Sequence, residues 1–508
     1  MTSYPSKGLL SLLVGLVKNP NVIKDVDITS VSMDSRQVEA GALFIATAKQ
    51  QQQRQKHIEQ AVSAGAKAIL VDNTVMGETA SDAVQIIAVR QLETKVSEIA
   101  GRFFGHPSLG QTIIAVTGTN GKTSVSQFIA QCLEFSGQAC GVIGTLGTGR
   151  MDALTDTGMT TPDPVKLQAT LADFFQQSIS TVVIEASSHA LEQGRLNSVA
   201  IDVAVLTNLS RDHLDYHHDM ASYAEAKKRL FRFASVKTAV INAQDDVGQA
   251  LIQELADNKA IQLVTYGQET NTSIAANDAE MTAKGVRFNL VKAGDSAQIE
   301  SSLLGAFNID NLLATAGSLL AVGLSFEQVA TALQQCRAAK GRMEVYGSKQ
   351  QTTVVIDFAH TPDALTQALQ SLQQHKPAQG QLWCVFGCGG DRDTGKRPLM
   401  GAAVEQNADH IIITDDNPRC EDNIAIVEAI LSGLDKQEQA HIEHDRQRAI
   451  EYAIHQAKQH DIILVAGKGH EQYQEIAGVK KPYSDIETVV TALQAANDAQ
   501  AASASVKS

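Results

Sequence analysis

What this chain lacks narrows its function before any motif is read. Only six cysteines occur in 508 residues (Cys132, Cys140, Cys336, Cys384, Cys388 and Cys420), and none forms a CxxC pair. That argues against a disulfide framework and a zinc site and fits a reducing, cytoplasmic setting. No apolar run reaches the ~18 residues that span a bilayer, so no membrane insertion is expected. The N-terminal stretch MTSYPSKGLLSLLVGLVKNP has no small-residue cleavage site and reads as a helix rather than a signal peptide. Basic residues are outnumbered: 42 Lys+Arg against 56 Asp+Glu leave a net charge of −14. That balance opposes nucleic-acid binding, which needs a basic surface. It still permits a local phosphate site, where metal ions override net charge. No repeat of fixed period is present. The 44% hydrophobic content excludes wholesale disorder, and the length corresponds to roughly three domains at ~150 residues each.

What is there is a recurring short β-branched run that ends in a polar or glycine-rich turn. It appears as TIIAVTGTNGKT, TVVIEASSHA, VAVLTNLSRDH, VVIDFAHTP, LWCVFGCGGDRD, HIIITDDNPR and DIILVAGKGHE. Continuous apolar runs of this length suit strands buried on both faces. Helical stretches such as SVSQFIAQCLEFSG and VKLQATLADFFQQS lie between them. The alternation predicts an α/β chain with mostly parallel, doubly wound sheets, and in such sheets ligands bind beyond the carboxyl ends of the strands. Three blocks are expected: 1–108, 109–343 and 344–495. Residues 273–292 are polar and alternating, which predicts antiparallel strands. The Ala/Ser-rich end, 496–508, is expected to be a disordered tail.

The segment Ala115–Ser124, AVTGTNGKTS, follows a strand and opens a helix. Backbone N–H groups of Gly118, Thr119, Asn120 and Gly121 can cradle phosphate oxygens at a helix N-terminus. Lys122 would meet the β- and γ-phosphates of ATP, and Thr123 would meet Mg²⁺, with Ser124 beside it. The usual GxxxxGK[ST] pattern would need glycine where Val116 stands, so the match is to a shorter GxxGKT form. Glu185 closes the next strand, where a carboxylate is a natural Mg²⁺ ligand. A further strand ends at Asn208 and leads to Arg211, Asp212 and His213, the last a candidate metal ligand. In ASYAEAKKRLF, Ser222 and Glu225 have capping-box spacing. Helical geometry then sets Lys227 among Tyr223, Leu230 and Phe231, on the apolar face. A lysine there is either a snorkelling side chain or a depressed-pKa amine able to take up CO₂ as a carbamate.

Three motifs of the last block share one expected rim: GCGGDRDTGKRP from Gly387, DDNPR from Asp415 and GKGHE from Gly467. Its arginines can pair with carboxylates, and Asp416 and Glu471 can hold an ammonium. Together they suit an amino acid with extra charged groups, although a rim of surface ion pairs would look alike.

TGTNGKTS, the Glu185 strand end, SRDHLDYH, Ala226–Lys227, LLGAFNIDNLLA and GRME resemble the Mur ligase family. DSR at Asp34–Arg36, TTP at Thr160–Pro162, EASSHAL, GCGGDRD and DDNPR narrow the resemblance to diaminopimelate-adding members. The resemblance implies a UDP-sugar-binding first domain, a central ATPase domain and a closing C-terminal domain. It implies that Lys227 is carbamylated and, with Thr123, Glu185 and His213, holds Mg²⁺, two ions in all. It places Met33, Ser35, Met159, Thr160, Thr161, Ser187, Gln193 and Arg195 on the UDP-muramoyl substrate. It places Arg392, Asp416, Asn417, Pro418, Arg419, Gly467 and Glu471 on diaminopimelate, and Asn308, Asn311, Arg342 and Asp357 around the adenosine. After LFIA the family has a Gly/His-containing loop; here TAKQQQQRQKH stands instead, and the uridine contacts pass to Gln50, Gln51 and Gln52.

The implied reaction is amide ligation by a monomer. ATP phosphorylates the D-glutamyl side chain of UDP-N-acetylmuramoyl-L-Ala-D-Glu, and the amine of meso-diaminopimelate attacks the acyl phosphate, in peptidoglycan precursor synthesis. Lys122, Glu185, His213 and Lys227 would carry the catalysis through charge and positioning. Competing readings are a lysine-adding, D-Ala-D-Ala-adding or folylpolyglutamate-type ligase, a P-loop ATPase switch, and a UDP-sugar-binding scaffold without chemistry.

Overall fold

The computed structural model describes residues 4–72, 84–268, 271–282, 285–347 and 352–505. The first sheet has four parallel strands in chain order, Ser30–Ser32, Ala42–Ala46, Ala68–Asp72 and Gln85–Val89. Ala42–Ala46 is buried at every position, which is why ALFIA reads as an unbroken apolar run. The apolar N-terminal stretch gives only a five-residue helix, Leu9–Leu13, of which Leu9, Leu12 and Leu13 sit in this layer's core.

The middle sheet carries the strands Thr112–Thr117, Cys140–Gly144, Thr181–Glu185, Val203–Leu206, Thr238–Asn242 and Gln262–Gly267, all parallel. Its first strand lies between the third and fourth. At such a reversal of strand order the flanking loops part and leave a crevice. The register opposes Glu185 to Val116 and Leu206 to Thr117, so the strand ends align there. As expected for 273–292, Ile274–Thr282, Gly285–Lys292 and Asp295–Ser301 run antiparallel in turn.

The last sheet has the order Glu344–Tyr346, Thr353–Asp357, Ile462–Ala466, Leu382–Phe386, His410–Ile413 and Ala440–Ile442, antiparallel only at the first pair. Asp357 opposes Ala466, and Phe386 opposes Ile413. The three motif loops therefore leave one edge of this sheet.

By compactness the described chain forms two units. One runs to Gly267 and adds Asn271–Ile274 and Ala314–Val329; the other holds the rest. This grouping differs from boundaries at 108 and 343, and packing explains it. In the first unit, Val165 is buried in the first sheet's core and Tyr4 donates to Asp173 at 2.6 Å. In the second, Leu304 and Phe307 pack into the core of the last sheet.

The terminal helix, Asp485–Ser505, crosses 496–505, where a disordered tail was expected. Val489 and Leu493 anchor it to the last sheet, and its Ala-rich continuation has high helix propensity. Positions 506–508 lie outside the described residues. No helix among the described residues is long and apolar enough to cross a membrane.

Candidate active site

The phosphate loop is held open by its neighbours. Gly118 has φ +148°, and a Cβ there would lie 1.8 Å from Thr207 Oγ1, so only glycine fits. Thr119 N donates to Asn208 O at 2.8 Å, Asn120 N to Asn208 Oδ1 at 2.9 Å, and Thr207 Oγ1 to Asn120 O at 2.6 Å. Gly121, in the left-handed region, opens the helix Lys122–Phe135, and no side chain caps it. Such a helix N-terminus, with the helix dipole behind it, suits an anion. Lys122 Nζ donates to Gly118 O and Thr119 O, both at 2.9 Å, and so lies over the loop it was expected to serve. Ser124 sits half-buried in the first helical turn.

Glu185 is fully buried. Its Oε2 accepts from Thr123 Oγ1 at 2.9 Å and Thr145 Oγ1 at 3.0 Å, and its Oε1 accepts from Thr145 N at 3.0 Å. None of these partners is cationic. A Cβ at Gly144 would stand 2.2 Å from Glu185 Oε1, so the adjacent strand must end in glycine. Thr145 was missed in the sequence, although its place just past a strand end beside Glu185 was a usable signal. Around this carboxylate the expected muramoyl residues form one network. Thr145 Oγ1 and Thr160 Oγ1 are 3.0 Å apart, and Thr161 Oγ1 donates to Glu185 O at 2.6 Å and accepts from Ser187 N at 3.1 Å. Arg195 donates to Thr161 O at 2.6 Å and to Gln193 Oε1 at 2.7 Å, and its Nη1 lies 3.9 Å from Met159 Sδ.

Lys227 is 1% exposed, between the fully buried Leu230 and the nearly buried Tyr223 and Phe231. Its helix, Met220–Lys228, is capped by Asp219, which accepts from Ser222 N; the cap therefore falls three residues before the expected Ser222. Nζ donates to Gly118 O at 2.6 Å and lies 4.4 Å from the Tyr223 ring centre. Burial, with the Lys122 charge adding, pushes its pKa well below the ordinary lysine value. His213, at φ +54°, is about half exposed, with Nε2 3.6 Å from Asp212 and its ring 5.1 Å from His189. Among the described residues no three His, Cys, Asp or Glu side chains gather as a metal cluster. The expected metal set is instead linked piecewise: Thr123 touches Glu185, Lys227 touches Gly118, and His213 meets Lys227's neighbour Tyr223 at 6.1 Å between rings.

A cavity of 1590 Å³ opens in the same unit, lined by Met33, Asp34, Ser35, Gln53, Lys56, His57, Gln60, Lys166 and Asp173 among others. Met33 and Ser35, expected on the UDP-muramoyl substrate, are among the residues that line it. Gln50, Gln51 and Gln52 are not among its lining residues: Gln50 precedes the helix Gln51–Ser63 without a side-chain cap bond, and the cavity-lining residues of that helix follow at 53, 56, 57 and 60. That spacing is one helical face. Arg36 hydrogen-bonds Asp34 and holds its carboxyl down at about 2.

In the second unit, Asn308 and Asn311 are buried and joined, Asn311 Nδ2 donating to Asn308 Oδ1 at 2.9 Å. Asp357 accepts from Met343 N and Ala359 N, both at 2.8 Å, and Arg342 lies over Phe358 at 4.5 Å. The three rim loops are stitched together: Gly390 N donates to Asn417 O at 2.9 Å, and Arg419 Nη1 to Gly390 O at 2.6 Å. Arg419 also lies 3.5 Å from Glu475. Glu421 N donates to Pro418 O at 3.1 Å, and Gly467 takes φ +114°. Asp416 and Asn417 are buried, whereas Arg392 is exposed. The ammonium beside Asp416 and Glu471 is Lys468, buried and at 4.0 and 2.9 Å from them. It was quoted within GKGHE but not predicted as a site residue, because nothing in sequence spacing shows that its tip points inward.

Family models match most of this chain. The Mur ligase family catalytic domain matches residues 27–104, the Mur ligase middle domain 116–319, and the Mur ligase glutamate ligase domain 341–469. The chain is 44% identical over 477 residues to the UDP-N-acetylmuramoyl-L-alanyl-D-glutamate–2,6-diaminopimelate ligase of Pseudomonas aeruginosa, covering 94% of this chain and 97% of that one. It is 44% identical over 468 residues to the ligase of the same name from Ectopseudomonas mendocina, covering 92% and 95%. A solved structure of a ligase of that name superposes with a TM-score of 0.68 at 39% identity, covering 93% of this chain and 96% of that one.

Proposed function

The chain belongs to the Mur ligase family, and from that premise we propose that it joins meso-2,6-diaminopimelate to the D-glutamyl residue of UDP-N-acetylmuramoyl-L-Ala-D-Glu at the expense of ATP. The observation that carries this reading is the buried Lys227 amine, hydrogen-bonded to the phosphate loop at Gly118. A plain nucleotide switch has no use for an apolar-walled amine at that place. An amine kept neutral by burial is the form that adds CO₂, and the resulting carbamate supplies a carboxylate beside the phosphates.

Glu185, buried against hydroxyl and amide donors alone, is a hard-oxygen group whose charge calls for a cation. Thr123, Glu185, His213 and carbamylated Lys227 would hold Mg²⁺, which neutralises phosphate charge when bound. Lys122 and the uncapped helix N-terminus bind the β- and γ-phosphates. The glutamyl carboxylate oxygen then bonds to the γ-phosphorus as the bond to ADP breaks. The acceptor amine bonds to the acyl carbon, gives up a proton, and phosphate leaves. The muramoyl substrate takes the 1590 Å³ cavity and the Thr160–Arg195 network. Arg419 and Arg392 receive the distal carboxylate of diaminopimelate, and Asp416 and Glu471 its ammonium. L-Lysine lacks that carboxylate and would leave the arginines without a partner.

An ADP-release assay with the UDP-dipeptide and either meso-diaminopimelate, L-lysine or no acceptor tests this. Release should depend on diaminopimelate. Equal release with L-lysine would move the chain to the lysine-adding reading, and release without acceptor to an ATPase.

A further inference from the structure

Lys468 follows the strand Ile462–Ala466, and its side chain is fully buried. Its Nζ donates to Asn417 Oδ1 at 3.0 Å and Glu471 Oε2 at 2.9 Å, and lies 4.0 Å from Asp416 Oδ1. A lysine ammonium tends to snorkel into water, and full burial persists only where fixed acceptors surround it. All three acceptors here belong to the set proposed for diaminopimelate. Asn417 Oδ1 also accepts from Glu475 N at 2.9 Å, and Asn417 Nδ2 donates to Glu471 Oε2 at 3.0 Å. The Asn417 amide therefore has one orientation. Both contacts on Glu471 fall on Oε2, which holds that oxygen in place and leaves Oε1 for a ligand; 22% of that side chain is exposed.

Charge points the same way. Asp416 and Glu471 contribute two negative charges and Lys468 one positive, a net of −1, which one substrate ammonium completes. Of the neighbouring arginines, Arg419 lies 3.5 Å from Glu475, and Arg446 lies 2.8 Å from Asp485 and also feels the Asp416 charge.

Resting on the diaminopimelate reading, we propose that Lys468 is a positioning residue for the acceptor amino acid: it sets the Asn417 amide and the Glu471 carboxylate in their binding orientation and offsets part of the pocket's carboxylate charge. The test uses the full chain with Lys468→Met. The KM for meso-diaminopimelate should rise about 30-fold, the size of a lost charged hydrogen-bond partner, with a smaller change in kcat. Affinities for ATP and the UDP-dipeptide should stay within about twofold, which a merely structural defect would not allow. Should Lys468→Met not fold, Lys468→Gln keeps a donor without the charge, and should show a smaller rise in the KM for diaminopimelate with the other two affinities kept. An unchanged KM in a folded variant, or equal loss of all three ligands, overturns the proposal. If the unsubstituted enzyme ignores diaminopimelate, the functional reading falls and this one with it. If it uses diaminopimelate and the variant matches it, only the role of Lys468 falls.

Discussion

The phosphate-loop crevice and the C-terminal rim both bury charge, but they satisfy it in opposite ways. In the crevice, Glu185 meets only hydroxyls and an amide, and Lys227 meets a carbonyl oxygen. Glu185 meets no opposite charge in those contacts and burial holds the Lys227 amine in its neutral form, so the site stores a demand for cations. On the rim, charges answer each other: Lys468 with Glu471, Arg419 with Glu475, and Arg397 with Glu421 at 2.7 Å. A cradle for transferring phosphate needs unspent charge aimed at the transition state. A pocket that must discriminate a zwitterion needs charges held at fixed places, which neighbouring ions provide. Substitutions in the crevice should therefore act nearly all-or-none, and those on the rim by degrees.

The sharpest way to break that contrast is Lys227→Ala. Ligation should fall about 10³-fold, the scale of losing a preorganised charge at a transferring group, and short-chain carboxylates should restore part of it. Carbon-13 NMR after ¹³CO₂ labelling should show a carbamate signal in the parent chain and none in the variant. A fully active variant would remove the carbamate from the mechanism and the all-or-none character from the crevice. Gly144→Ala should come next. Its Cβ would sit 2.2 Å from Glu185 Oε1, so the carboxylate must move, and a displacement of about 1 Å costs on the order of 10²-fold. The loss should appear in kcat, with UDP-dipeptide binding kept; an unchanged kcat would show that Glu185 does not need this place.

Arg419→Ala should act more mildly and selectively. The KM for diaminopimelate should rise at least about tenfold, as for a lost charged hydrogen bond, with ATP affinity held within about twofold. Equal loss of both in a binding assay would defeat the rim assignment and make the arginine a loop strut, since it also holds Gly390 O.

The parallel strands and the loops that matter were readable because strands buried on both faces leave continuous apolar runs, and ligand groups follow their carboxyl ends. Lys227 was readable as well, since helical spacing alone puts it beside Tyr223, Leu230 and Phe231. What escaped depends on contacts distant in sequence. Thr145 and Gly144 matter only because their strand lies against that of Glu185. The glutamine run does not show in composition where its helix starts: the helix begins at Gln51, and the cavity is lined by Gln53, Lys56, His57 and Gln60. Lys468 and Lys227 have the same side chain and similar burial, yet only the second declares itself, because a loop has no periodicity from which to read a face.

The smallest expected effect concerns the second unit alone. His375 Nε2 accepts from Gly305 N at 2.9 Å, and Nδ1 lies 2.6 Å from Thr282 O. The first contact needs a bare ring nitrogen and the second an N–H, so the neutral imidazole is the tautomer that fits both. Burial lowers its pKa below the ordinary 6.5. A group whose folded pKa is depressed adds stability above its unfolded pKa, and that contribution is lost as pH falls through the folded value. The segment running from Gly305 into Asn308 and Asn311 should thus loosen below pH 6.5, by on the order of 1 kcal/mol per unit of pKa shift. Hydrogen exchange at the Gly305 amide, corrected for intrinsic rate, should quicken between pH 7 and pH 5, and His375→Gln should flatten that response. Amides of Gly118–Thr123, in the other unit, are the internal reference. If they quicken in parallel, the two regions share one acid response and the contrast between them is not built on local charge.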